Sequence, residues 1–235
     1  MLGKLYLIPT LLGDTAIERS IPEYNLRIIK GLKYFIVENL KQARAFLKKA
    51  GVKPPFDNIY FFELNKHTSE RDVSKMMQSL IKGNDFGIMT DAGFPVVADP
   101  GENIIRFAHE NNIQVIPLSG PSSILLALAA SGLNAESFTF HGYLPINSNL
   151  RVKTIKEIEK TALKTGYSQI FIETPYRNTQ LLKDILKVCK AKTQLSIAAN
   201  ISTSNEEILT LSIEEWKKQN KSFHKIPAVF VIGTA

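Results

Sequence analysis

The chain has 235 residues, 44% of them hydrophobic and 22% charged, which is the make-up of a globular protein able to bury one large core or two modest ones. No apolar run approaches the roughly 20 residues a bilayer span requires, so no membrane partner is expected. The net charge is +7, and a single cysteine, Cys189, excludes an internal disulfide framework and fits a reducing, cytoplasmic setting. Leu5 to Leu12 has the length of a short signal core, but Pro9 interrupts it and no small-residue cleavage site follows.

Taken in chain order, strand and helix patterns alternate. Lys4 to Ile8, Tyr34 to Val37, Ile59 to Phe62, Phe86 to Met89 and Gln114 to Ile116 read as strands rich in β-branched and aromatic residues. Helical patterns lie between them at 22–31, 39–50, 70–82 and 102–111. In the second of these Leu40, Ala43 and Leu47 recur at helical spacing and Gly51 ends the run. Such an order predicts a mostly parallel sheet with helices on both faces.

The loop Thr90-Asp-Ala-Gly-Phe-Pro-Val-Val-Ala-Asp-Pro-Gly101 holds the densest signal. Ligands of open α/β sheets bind beyond the carboxyl ends of the strands, where this loop falls. Gly93 and Gly101 permit positive φ and close approach of a ligand, while Pro95 and Pro100 stiffen the path. A second loop of this kind, Leu118-Ser-Gly-Pro-Ser-Ser-Ile, follows the next strand. There Gly120 is expected to make the turn, Pro121 to occupy a first helical position, and Ser122 or Ser123 to cap the helix. That helix, Ile124 to Ala130, is apolar and expected to be buried, with Gly132 as its C-terminal glycine.

Beyond it the strands shorten. Phe138 to Phe140, Gln169 to Ile172, Leu195 to Ala198, Ile208 to Leu211 and Ala228 to Ile232 are the candidates, with helices at 151–163, 178–190 and 213–219. The step from 198 to 208 lacks a helix, which predicts a mixed sheet containing an antiparallel hairpin. His141 to Asn149 reads as a linker, and the domain boundary is placed near 117–120, giving domains 1–117 and 118–235.

Charge is uneven: residues 1–117 carry 15 basic and 13 acidic side chains, residues 118–235 carry 14 and 9. Arg151, Lys153, Lys156, Lys160 and Lys164 read as a solvated helix face, and the basic surface is compatible with a polyanion such as RNA. No dinucleotide, Walker-type or nucleophile-elbow signature is present, and His67, His109, His141 and His224 are too scattered for a metal site.

These loops, in this order, resemble the tetrapyrrole methylase superfamily. Within it, the chain is most similar to the ribosomal small-subunit RNA cytidine 2′-O-methyltransferases. Leu5-Tyr-Leu-Ile-Pro-Thr-Leu-Leu-Gly-Asp14, Thr90 to Gly101, Pro117 to Ser123, Ala130-Ser-Gly-Leu133, Phe140-His-Gly-Tyr-Leu-Pro145 and Ile172-Glu-Thr-Pro-Tyr-Arg177 match family motifs in register, over nearly the whole chain. Departures are Glu38-Asn-Leu-Lys41 for the family's Glu-Asp-Thr-Arg, Leu11 in its Pro-Thr-Pro, and Ala199-Asn-Ile-Ser-Thr203 for its Arg-Glu-Leu-Thr-Lys. The family's C-terminal extension has no counterpart before Ala235.

The resemblance implies an α/β, two-domain fold, mostly parallel in its first sheet and mixed in its second, with the cofactor in the cleft between domains and a homodimer as the assembly. It implies S-adenosyl-L-methionine as cofactor, held by Pro9, Thr90, Asp91, Ala92, Val96, Ser122, Ser123, Ile172 and Ile201. Asp91 becomes the candidate general base, or else a cofactor-binding carboxylate; Glu38 and Arg177 become substrate-side candidates. The acceptor implied is ribosomal RNA in the small subunit. A methyltransferase for a small molecule such as a tetrapyrrole, and a non-catalytic module that keeps the fold, are the alternatives.

Overall fold

The structure, a computed structural model, describes residues 2–64, 68 and 70–234; His67 lies outside them. The chain divides into two compact units, Met1–Ser122 and Ser123–Ala235.

In the first unit five short strands, Lys4–Leu7 (β1), Tyr34–Val37 (β2), Tyr60–Glu63 (β3), Phe86–Met89 (β4) and Gln114–Pro117 (β5), form a wholly parallel sheet in the order β3-β2-β4-β1-β5. Because strand side chains alternate, each strand feeds two cores. Ile8, Phe35, Val37 and Met89 meet Glu23–Gly31 (α1) and Leu40–Lys49 (α2) on one face. Leu5, Ile36, Phe86 and Ile88 meet Glu70–Ile81 (α3) and Glu102–Glu110 (α4) on the other. Asn39 caps α2 by accepting from Lys41 N and Gln42 N. Leu118 is buried in the first of these cores, so the loop after β5 is part of this unit.

The second unit begins with Ser123–Ala130 (α5) and builds a mixed sheet from Phe138–Tyr143 (β6), Ser168–Ile172 (β7), Gln194–Ala199 (β8), Glu207–Ser212 (β9) and Ala228–Gly233 (β10), in the order β6-β7-β10-β8-β9. Only β6 and β7 are parallel; the β8–β9 hairpin is antiparallel, as the helix-poor step predicted. Ser148–Thr165 (α6), Asn178–Val188 (α7) and the single turn Ile213–Trp216 (α8) bury Phe171, Leu195, Ile197 and Phe230 on one face. Trp216 anchors this core and donates its indole N–H to Leu195 O at 2.7 Å.

Several expectations are corrected. His141–Asn149 is no linker: its first three residues extend β6, and α6 begins at Ser148 with Asn147 as its cap. Polar and glycine residues hid a strand that lies at the sheet edge. The apolar helix α5 is only half buried, since Ile124, Ala127 and Leu128 face inward while Leu125 and Leu126 are exposed. It starts at Ser123, so Pro121 precedes it by two residues. Arg151 is not on a solvated face but is buried against Asp184. Cys189 is the residue after α7 rather than inside it, and burial pushes its thiol up to about 12.

Candidate functional site

Three loops converge at the carboxyl edge of the parallel sheet. Ile8 N donates to Ile88 O (2.8 Å), Thr10 N to Gly93 O (2.9 Å) and Leu118 N to Leu7 O (3.0 Å), so the loops after β4 and β5 flank the one after β1. Gly120 lies so near Pro9 that an added Cβ would sit 2.4 Å from Pro9 Cβ. The glycine expected for a turn is thus needed for the close approach of two loops. Gly93 and Gly101 do take positive φ, 86° and 138°, and Val96 and Ala98 share that region at 72° and 70° without being glycine. For a β-branched valine this is strain that the surrounding loop must hold.

At the centre stands Thr90, nearly buried at the end of β4. Its hydroxyl lies 2.9 Å from Glu38 Oε2, at the end of the neighbouring β2, and 2.6 Å from Asp99 Oδ2. Thr10 Oγ1 donates to Thr90 O at 3.2 Å. Glu38, Thr90 and Asp99, with Val96 and Pro100, line a hollow of about 10 Å³, room for a single water. Asp91 adjoins them. Partial burial lifts its carboxyl to about 6, and the charges of Glu38 and Asp99 add to the shift. Asp99 is also raised, chiefly by burial, against the opposing bond from Thr90 and with help from the Glu38 charge. Three carboxylates gathered in a chain of net charge +7 make a site suited to a cationic group.

Of the residues singled out from the sequence, Pro9, Glu38, Thr90, Asp91, Ala92, Val96 and Ser122 belong to this first unit. Asp99 was not among them. The signal was the second aspartate of the doubled loop, whose side chain turns back nine residues to the strand end.

Ser123, Ile172, Arg177 and Ile201 belong to the second unit. There β7 and β8 both run antiparallel to β10 and flank it, so Ile172 pairs with Val229 and Ala199 with Ala228 at one sheet edge. The turn after β8 carries the buried Ile201 between Asn200 and Ser202, both at positive φ. After β7, Glu173 is fully buried at its side chain and accepts from Thr174 N (2.7 Å) and from Arg177 Nη2 (2.5 Å). Glu173 Oε2 and Arg177 Nε are buried with no hydrogen-bond partner. Glu173, which the sequence motif contained, is thus what orients Arg177. His141 Nε2 lies 2.8 Å from Gln169 Oε1, which ties this exposed β6 histidine to the neighbouring strand β7.

The family model of the tetrapyrrole (corrin/porphyrin) methylases matches residues 4–217. The ribosomal RNA small subunit methyltransferase I of Escherichia coli O157:H7 is 27% identical over 98% of this chain and 77% of its own length. The protein of that name from Thermotoga maritima is 26% identical over 91% of this chain and 90% of its own. Among solved structures, the methyltransferase CobJ superposes with a TM-score of 0.65 over 99% of this chain and 95% of its own, at 13% identity, a likeness of fold.

Proposed function

The chain belongs to the tetrapyrrole (corrin/porphyrin) methylases and is a methyltransferase, and we propose that it uses S-adenosyl-L-methionine to methylate the 2′-hydroxyl of a cytidine in small-subunit ribosomal RNA. The observation that carries this is the gathering of Glu38, Asp91 and Asp99 around Thr90 beyond β2 and β4. The methyl donor bears a sulfonium and an ammonium beside its own carboxylate, and a carboxylate cluster with closely approaching backbone loops fits its two cationic groups. When bound, it supplies an activated methyl group with its own leaving group.

The work left to the protein is to place the acceptor in line and keep water out. Pro9, Thr90, Asp91, Ala92, Val96 and Ser122 are proposed to hold the donor from the first unit, and Ser123, Ile172 and Ile201 from the second. Backbone groups are proposed to carry much of this, in keeping with the positive φ at Val96, while Gly120 admits Pro9 and so brings two of these loops together. A hydroxyl acceptor must give up a proton, and Asp91, titrating near 6, is an adequate base at neutral pH. Glu38 and Arg177 are the proposed substrate-side groups. A cytoplasmic homodimer completes the proposal; among the described residues no helix is long and apolar enough to cross a membrane.

The test is transfer of labelled methyl from the donor to small ribosomal subunits or to a panel of tetrapyrroles. Label in RNA supports the proposed acceptor, and label in a pigment replaces it with a small molecule. Donor bound without transfer to either would leave a non-catalytic module. Asp91→Ala and Ser122→Trp are each expected to abolish calorimetric binding of S-adenosylhomocysteine, and unchanged binding would move the donor site elsewhere.

A further inference from the structure

The loop after β7 and the loop before β10 are fastened together. Lys225 N donates to Pro175 O (2.9 Å), and Asn178 Nδ2 donates to Ile226 O (2.6 Å). Their union presents Tyr176, 68% exposed, with Lys225 Nζ over its ring at 5.9 Å and the His224 ring meeting it edge-on at 6.1 Å. Lys225 holds this place at φ 62°, a conformation unfavourable for a side chain of its kind. Arg177, next in sequence to Tyr176, is pinned from behind by the buried Glu173.

We propose that Tyr176, Lys225 and His224 form a stacking platform for an unpaired base of single-stranded RNA, with Lys225 and Arg177 meeting the adjoining phosphates. This rests on the RNA acceptor proposed above and names the surface that grips it. A flat, exposed phenol ring accepts any base face, and a cation over the ring adds to it, which is how sequence-tolerant single-strand binding is built. A duplex keeps its bases stacked on each other and offers none to such a ring. The excess of basic residues in 118–235 supplies the accompanying field. The sequence run at 151–164 lacked interleaved aromatics; the platform is instead assembled from segments almost 50 residues apart, which no local pattern reveals.

The experiment uses the full chain and a fluorescein-labelled single-stranded RNA of about 12 nucleotides, within the usual site sizes for such proteins, with the same sequence as a duplex for comparison. Tyr176→Ala is expected to weaken single-strand binding about tenfold, and Tyr176→Phe to stay within about twofold of the parent, since the ring is kept. Lys225→Gln is expected to flatten the salt dependence by roughly 0.7 in the slope of log K against log salt. Binding of S-adenosylhomocysteine should be unchanged in all three, which guards against misfolding. Wild-type binding that survives Tyr176→Ala, equal loss in Tyr176→Phe, a preference for the duplex, or polyglutamate competing as well as RNA would each overturn the platform. If subunits are methylated normally by Tyr176→Ala, only this inference falls. If the wild type neither binds RNA nor labels subunits, the acceptor falls with it.

Discussion

The Thr90 hydroxyl and the Asp99 carboxylate approach to 2.6 Å while Glu38 stands 2.9 Å away on the same oxygen. A hydroxyl has one hydrogen and cannot donate to both. At any moment it therefore serves one carboxylate and leaves the other beside its lone pair, while burial and the Glu38 charge raise the Asp99 carboxyl. Asp99→Asn keeps a donor toward Thr90 and is expected to match the wild type in urea-denaturation midpoint at neutral pH. Asp99→Ala leaves Thr90 half satisfied and is expected to lose about 1–3 kcal/mol. Equal destabilisation by the two would show that the charge of Asp99, rather than its hydrogen bond with Thr90, is what the site requires.

Asp91 gives the site a pH dependence whose sign is fixed. Its carboxyl titrates at about 6 in the folded chain against an ordinary 3.8. Between those values the folded state binds more protons than the unfolded one, so the stability it contributes is complete below the lower value and is lost as pH rises through the higher. Asp91→Asn should therefore gain on the wild type in urea midpoint as pH rises from about 4 to about 6.5, and keep that gain above it. Transfer activity should do the reverse, rising through about 6 as the base ionises. A flat difference in midpoint would place the Asp91 carboxyl in an ordinary, solvated setting.

The strands and helices of this fold were legible because burial imposes periodicity. Phe35, Val37 and Ile36 alternate between two cores, and Leu40, Ala43 and Leu47 mark one helical face. The β8–β9 hairpin showed itself by the shortness of its connection. What escaped were relations made only in three dimensions. Arg151 resembles its lysine neighbours in sequence, yet it turns inward to Asp184, 33 positions away. Asp99 looked like part of a turn, and only the folded loop carries it back to Thr90. β6 bulges at His141 and Gly142, where its register with β7 shifts, and resumes pairing at Tyr143 opposite Ile172, a continuation that its composition does not advertise.

Gly120 tests the convergence of loops directly. Its missing side chain admits Pro9, and a methyl group there would overlap Pro9 Cβ at 2.4 Å. Gly120→Ala is expected to cost about 1–3 kcal/mol by forcing the loops apart, and to weaken S-adenosylhomocysteine binding as well. Gly31→Ala, at the end of α1 with open space around it, is the matched control and should be neutral or slightly stabilising. Comparable midpoints for the two variants would mean that the loops separate without cost.

The buried pair Arg151–Asp184 should govern the stability of the second unit. Arg151 Nη2 and Nε lie 2.6 Å and 2.8 Å from Asp184 Oδ2, and Nη1 donates to Ile146 O at 2.8 Å, tying the start of α6 to α7 and to the loop before it. Removing one partner strands a charge in the core, so Arg151→Ala is expected to cost about 3–5 kcal/mol. Lysine keeps the charge but not the planar fork, and Arg151→Lys should recover only part of that loss. Replacing both, as Arg151→Met with Asp184→Leu, removes the desolvation penalty along with the attraction and should come close to the parent. Thermal midpoints of the four proteins settle the order. If the double variant falls as far as Arg151→Ala, the hydrogen bond to Ile146 O, rather than the uncompensated Asp184 charge, is what holds this corner.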